Sequence, residues 1–131
     1  MAFAIDDKEQ ARRFYGEVIG CKVGREADNW IDFDFFGHQI SAHLNTDPKS
    51  AATSRVGNDL VPLHHFGAVL AWDEWNALIG RLRANGHAFV LEPHVRFEGE
   101  PGEQGTFFIK DPAGNALEFK SFRHPEGLFE H

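Results

Sequence analysis

Two stretches of this chain carry the same arrangement of apolar and polar positions. Ala11, Phe14, Tyr15, Val18 and Ile19 recur at i, i+3, i+4, i+7 and i+8, the single apolar stripe of an amphipathic helix, and Gly20 follows as its stop. Asp6 or Asp7 caps this helix, with Glu9 and Gln10 as capping-box partners. The pattern returns with Asp73 as cap, Trp75, Leu78, Ile79 and Leu82 as stripe, and Gly86 as stop. A short apolar run precedes each helix, at residues 2–5 and again from His65 to Leu70.

After the first helix, residues 30–36 alternate: Ile31, Phe33 and Phe35 share one face, and Trp30, Asp32 and Asp34 the other. That is the pattern of a strand with one covered face. A glycine opens the closing strand of each half, Gly37 before residues 38–44 and Gly114 before residues 115–120. Each half therefore reads β-α-β-β-β. A unit with one apolar sheet face cannot stand alone, so two such units must share a core.

The expected class is α+β, two tandem β-α-β-β-β modules forming a curved mixed sheet or half-barrel around a cavity. Module one spans 1–44, a linker 45–62, module two 63–122 and a tail 123–131. Residues 45–62 are polar and broken by Pro48 and Pro62, which predicts a mobile connector. Residues 92–103, with Pro93, Pro101 and Gly102, lengthen the second copy and read as an insertion able to form a lid over the cavity.

Alternation also says which side chains share the face away from the helices. Leu117 and Phe119 belong under a helix, so Ala116 and Glu118 point the other way. His65, Gly67 and Val69 fall on that same face, and in the first copy so do Ala2, Ala4, Gln39, Ser41 and His43. A carboxylate in mid-strand is costly to desolvate without a compensating partner. The residues alone leave two readings of Glu118, a metal ligand or the partner of a lysine or arginine across the sheet. His65 likewise reads as a ligand or as a core histidine with a satisfied ring.

The remaining composition narrows the function classes. With 131 residues the chain suits one compact domain, and its net charge of −7 argues against a nucleic-acid surface. The lone Cys21 excludes an internal disulfide and a thiolate zinc site, and fits a reducing compartment. No run approaches the roughly 20 apolar residues of a membrane span. A cytoplasmic protein acting on a small molecule, without nucleic acid or membrane as partner, is the expectation.

Three segments carry a resemblance: DKEQARRFYGEVIG at 7–20, HFGAV at 65–69, and FFIKDPAGNALEF at 107–119. Together they resemble the vicinal oxygen chelate superfamily, which contains glyoxalase I, bleomycin and fosfomycin resistance proteins and extradiol dioxygenases. The resemblance implies a metal held by a histidine in the first strand of each module and a glutamate in the last strand. His65 and Glu118 match two of these positions, while the first histidine of the pattern falls one position ahead of Met1. His43 is the candidate acid/base group, its unperturbed pKa lying near neutrality. His94 and Arg96, on the insertion, are candidates to bind an anionic substrate.

Two imidazoles and a carboxylate suit non-haem iron. The resemblance therefore implies a divalent metal, Fe(II) before Mn, Zn or Ni, in a ring-cleaving dioxygenase acting on a catechol-like or other vicinal-oxygen substrate. A glyoxalase-like isomerase and a non-catalytic drug-binding protein are the competing readings. A homodimer is expected.

Overall fold

The computed structural model describes residues 1–45, 53–56, 59–62 and 64–125. By internal contacts the chain divides into two units: residues 1–64 with 110–115, and residues 65–109 with 116–131.

In the first unit, β1 (Ala2–Ile5) leads into a helix that begins as α1 (Lys8–Ala11). Asp7 is its N-cap and accepts a 2.9 Å hydrogen bond from the Gln10 amide, as the acidic signal requires. From Arg12–Val18 the helix widens to π winding, and the Ile19 amide donates to the Phe14 carbonyl at 2.9 Å. Gly16 lies within the widened turns, where a poor α-helix former makes departure from the α pitch least costly. The apolar stripe nevertheless buries as its spacing implies: Ala11, Phe14, Tyr15, Val18 and Ile19 are all in the core.

Three strands follow, β2 (Lys22–Ala27), β3 (Trp30–Phe35) and β4 (His38–Leu44), in the sheet order β1-β4-β3-β2. β1 runs parallel to β4, and the other pairs are antiparallel. Ile31, Phe33 and Phe35 are buried on one face, and the Tyr15 ring packs 5.1 Å from that of Phe33. The opposite face departs from simple alternation at Asp32, which is also buried.

Residues 110–115 complete this unit. Asp111 accepts hydrogen bonds from the Ala113 and Asn115 amides, from the Asn115 side chain and from the Tyr15 hydroxyl at 2.8 Å. Asn115 also donates to the Ala4 carbonyl at 2.7 Å. The D-P-A-G-N motif is thus a structural turn. The Asp111 carboxylate and the Asn115 side-chain nitrogen both find their partners within the unit, as burial demands.

Beyond Asn45, the described part of the connecting segment is strand. A two-stranded antiparallel hairpin, β5 (Thr53–Val56) with β6 (Asp59–Pro62), occupies part of 45–62. The expected mobility falls largely on residues outside the described ones, as does the end of the tail beyond residue 125.

The second unit repeats the order. β7 (His65–Val69), α2 (Trp72–Ala84), β8 (Phe89–Arg96), β9 (Gln104–Lys110) and β10 (Ala116–Phe122) give a sheet ordered β7-β10-β9-β8. β7 and β10 are parallel. Trp75, Leu78 and Leu82 of α2 are buried with Phe107, Ile109, Leu117 and Phe119, and the Trp75 indole N–H donates to the Phe119 carbonyl at 2.9 Å. The N-cap of α2 is Ala71, so Asp73 lies in the first turn beside Glu74, where carboxylates favour the positive end of the helix dipole. Both units therefore have the expected β-α-β-β-β order. Among the described residues no helix is long and apolar enough to cross a membrane.

A second correction concerns 92–103. β8 continues through Glu92, Pro93 and His94 to Arg96, so these residues form sheet, and only the short segment after it is a turn. Proline is tolerated there because β8 is an edge strand whose register slips between Leu91 and His94.

Candidate metal and anion site

The parallel register of β7 and β10 sets the geometry of the second unit's polar face. His65 lies opposite Ala116, Gly67 opposite Glu118, and Val69 opposite Lys120. Side chains paired in this way share a face, so His65, Glu118 and Lys120 stand together. Gly67 makes the approach feasible: a Cβ built there would run into the Glu118 carbonyl oxygen.

Glu118 is only 8% exposed, yet its carboxylate has four polar neighbours. The Thr106 hydroxyl donates to Oε2 at 2.6 Å, and Arg96 Nη1 lies 3.7 Å from the same oxygen. His65 Nε2 lies 3.4 Å from Oε1, and Lys120 Nζ 3.9 Å from it. The His65 ring rests edge-on against Phe108 at 5.0 Å, which limits its swing. A cavity of about 220 Å³ opens beside this group, bounded by His65, Gly67, Ala68, Val69, Glu118 and Lys120.

These donors fit a divalent ion in part. Ligands at roughly 2.0–2.2 Å from a common metal stand about 3 Å apart, which the 3.4 Å separation approaches, and imidazole with carboxylate suits zinc, iron, nickel or manganese. Thr106 holds Oε2, leaving Oε1 toward the imidazole. The pair supplies two donors, and among the described residues no cluster of three or more His, Cys, Asp or Glu side chains is close enough to share an ion.

The other expected site residues distribute as follows. Arg96 joins His65 and Glu118, its side chain only 11% exposed. His94 sits on the same sheet face, opposite Thr106, with Nδ1 2.8 Å from the Glu92 carbonyl. His43 belongs to the first unit, opposite Ala4 and Trp30 in the register, and is exposed. Sequence reasoning passed over Thr106 and Lys120, although the alternation that placed Glu118 also places Lys120, two residues later on its strand.

The first unit holds a counterpart. There Ser41 lies opposite Ala2 as Glu118 lies opposite Gly67, and the carboxylate is found on the neighbouring strand, at Asp32. Asp32 accepts a hydrogen bond from the Ser41 hydroxyl and one of 2.9 Å from Gln39 Nε2. Carboxylate and hydroxyl have exchanged strands between the two units.

Comparison with known proteins accords with this architecture. A family model described as Glyoxalase/Bleomycin resistance protein/Dioxygenase superfamily matches residues 1–119. Among solved structures, a glyoxalase/bleomycin resistance protein/dioxygenase from Alicyclobacillus acidocaldarius is 30% identical, with a TM-score of 0.80, covering 98% of this chain and 93% of that one. A lactoylglutathione lyase from Agrobacterium tumefaciens is similar in fold at 20% identity, with a TM-score of 0.66, over 92% of this chain and 90% of its own. So is the genomically encoded fosfomycin resistance protein FosX from Listeria monocytogenes, at 12% identity and a TM-score of 0.72, over 92% and 88%. No curated protein matches the chain in sequence.

Proposed function

Since the chain belongs to the Glyoxalase/Bleomycin resistance protein/Dioxygenase superfamily, we propose that it is a metal-dependent enzyme acting on a small vicinal-oxygen substrate, with His65 and Glu118 as metal ligands. The observation that carries this reading is their approach to 3.4 Å from strands 53 positions apart in sequence. When bound, a divalent ion supplies Lewis acidity that polarises the substrate's oxygens and favours their deprotonation. Thr106 fixes the carboxylate's rotation, Phe108 steadies the imidazole, and Arg96 and Lys120 bring positive charge to the same face. Ring-cleaving dioxygenase chemistry with Fe(II) is the specific activity we put forward, and a homodimer the assembly.

A second reading has its own observation. Arg96 and Lys120 already lie within 4 Å of Glu118, as they would if the carboxylate served only to balance charge in a pocket that binds a small molecule without turning it over.

The deciding experiment is metal analysis of anaerobically purified protein, followed by oxygen uptake with a panel of catechols. His65→Ala and Glu118→Ala are each expected to lose the metal. Metal content unchanged in either variant would overturn the ligand assignment. Metal-free wild-type protein that still binds a small molecule would favour the second reading. Light scattering on the eluting protein reads the dimer.

A further inference from the structure

We propose, resting on the metal reading above, that Thr106 is a positioning residue: it confines Glu118 to ligation through one oxygen and so keeps a coordination position open for a substrate. The two oxygens of the Glu118 carboxylate have different surroundings. Oε1 lies 3.4 Å from His65 Nε2, and Oε2 accepts a hydrogen bond from the Thr106 hydroxyl at 2.6 Å. Arg96 Nη1 at 3.7 Å from Oε2 and Lys120 Nζ at 3.9 Å from Oε1 stand beyond hydrogen-bond reach, so they act on the carboxylate's charge and leave its rotation to Thr106.

Thr106 is suited to hold that oxygen still. It is fully buried on β9, opposite His94 in the register, and its branched Cβ restricts rotation about χ1, so the hydroxyl cannot follow a turning carboxylate. Ligation through both oxygens requires Oε2 to leave Thr106 and turn toward the ion. A hydrogen bond to a charged group is worth about one to two powers of ten in an equilibrium, and that factor opposes the turn. The consequence is a choice among ions. Four-coordinate zinc is served by one oxygen, whereas six-coordinate manganese, which favours oxygen donors, gains from a second. A substrate that chelates through two neighbouring oxygens needs the position which the second carboxylate oxygen would otherwise take.

The test uses the full chain with Zn(II) and Mn(II), read by competition between the two ions and by infrared difference spectra of the carboxylates on adding Mn(II). One-oxygen ligation separates the antisymmetric and symmetric carboxylate stretches widely, and two-oxygen ligation draws them together. Subtracting the Glu118→Ala spectrum removes ions held by other carboxylates of this acidic chain. The wild type is expected to show the wide separation. Thr106→Val should narrow it and shift the preference toward Mn(II) about tenfold. Thr106→Ser, which keeps the hydroxyl, should match the wild type in both readings, and a folded Thr106→Ser that departs from it counts against the hydroxyl.

If Thr106 only filled space in the sheet, Thr106→Val would lower stability and leave the separation and the ion preference unchanged, and that result overturns the proposal. A narrow separation in the wild type overturns it too while the metal reading stands, and does so whether or not Thr106→Val folds. Folded wild-type protein that binds neither ion removes the metal reading and this proposal together.

Discussion

Gly67 illustrates how much of the site rests on a side chain that is absent. Its Cα faces that of Glu118 across parallel strands, and a methyl group there collides with the backbone carbonyl, a contact that no rotamer relieves. Gly67→Ala must push β7 and β10 apart, and with them His65 and Glu118. The expected cost is about 3 kcal/mol in urea unfolding, the upper range for overpacking, together with loss of metal binding. Gly80, exposed within α2 with nothing near its missing Cβ, is the control: Gly80→Ala should stabilise by about 0.5–1 kcal/mol and leave metal binding unchanged. Period-2 alternation in the sequence was enough to put His65 and Glu118 on one face. It could not show that Gly67 is required, because the need arises from strand pairing 51 positions away in the chain.

Among the elements, the first helix shows both what spacing reveals and what it hides. Its apolar stripe was legible because five apolar residues at helical intervals have few other uses. The π winding was not, since apolar spacing records which face is buried and is silent on the pitch from Arg12–Val18. The end of β8, from Glu92 to Arg96, reads in the sequence as part of a lid-forming insertion for a related reason: proline and charged residues signal a break unless an edge position and a register slip absorb them. Tyr15→Phe removes a buried hydrogen bond to a carboxylate and is expected to cost about 2 kcal/mol.

The same bond gives a pH signature. Burial first, then the charge of Asp111, raises the Tyr15 pKa well above its ordinary value of 10.0. A folded-state pKa above the unfolded one means the phenol stabilises fully below about pH 10 and loses that contribution as pH rises toward the folded value. Urea unfolding of wild type from pH 8 to 11 should therefore show stability falling above pH 10. Tyr15→Phe, less stable at pH 8, should fall less. Equal alkaline losses in the two proteins would count against the role given to Tyr15.

At the scale of the whole molecule, duplication was the most legible feature, and the division of labour between the copies the least. Hydrophobic period records which face each strand buries, and it does so twice. It is silent on which polar residue of a face takes the charge, so the exchange of Asp32 and Ser41 for Thr106 and Glu118 emerged only from side-chain geometry. The repeat also conceals that the first unit is not contiguous. Residues 110–115 belong to it, and without them the Tyr15 hydroxyl and the Ala4 carbonyl lose their partners, Asp111 and Asn115. An unpaired buried polar group costs about 1–3 kcal/mol, a large share of what so small a unit can spare. A fragment of residues 1–64 should consequently show no cooperative urea transition and poor dispersion in its amide spectrum, whereas the full chain unfolds cooperatively. In the full chain Asp111→Ala removes four hydrogen bonds at once and should cost more than Tyr15→Phe, which removes one of them. A cooperatively folding 1–64 fragment would show instead that the first helix and its four strands suffice, and that the D-P-A-G-N turn is dispensable to them.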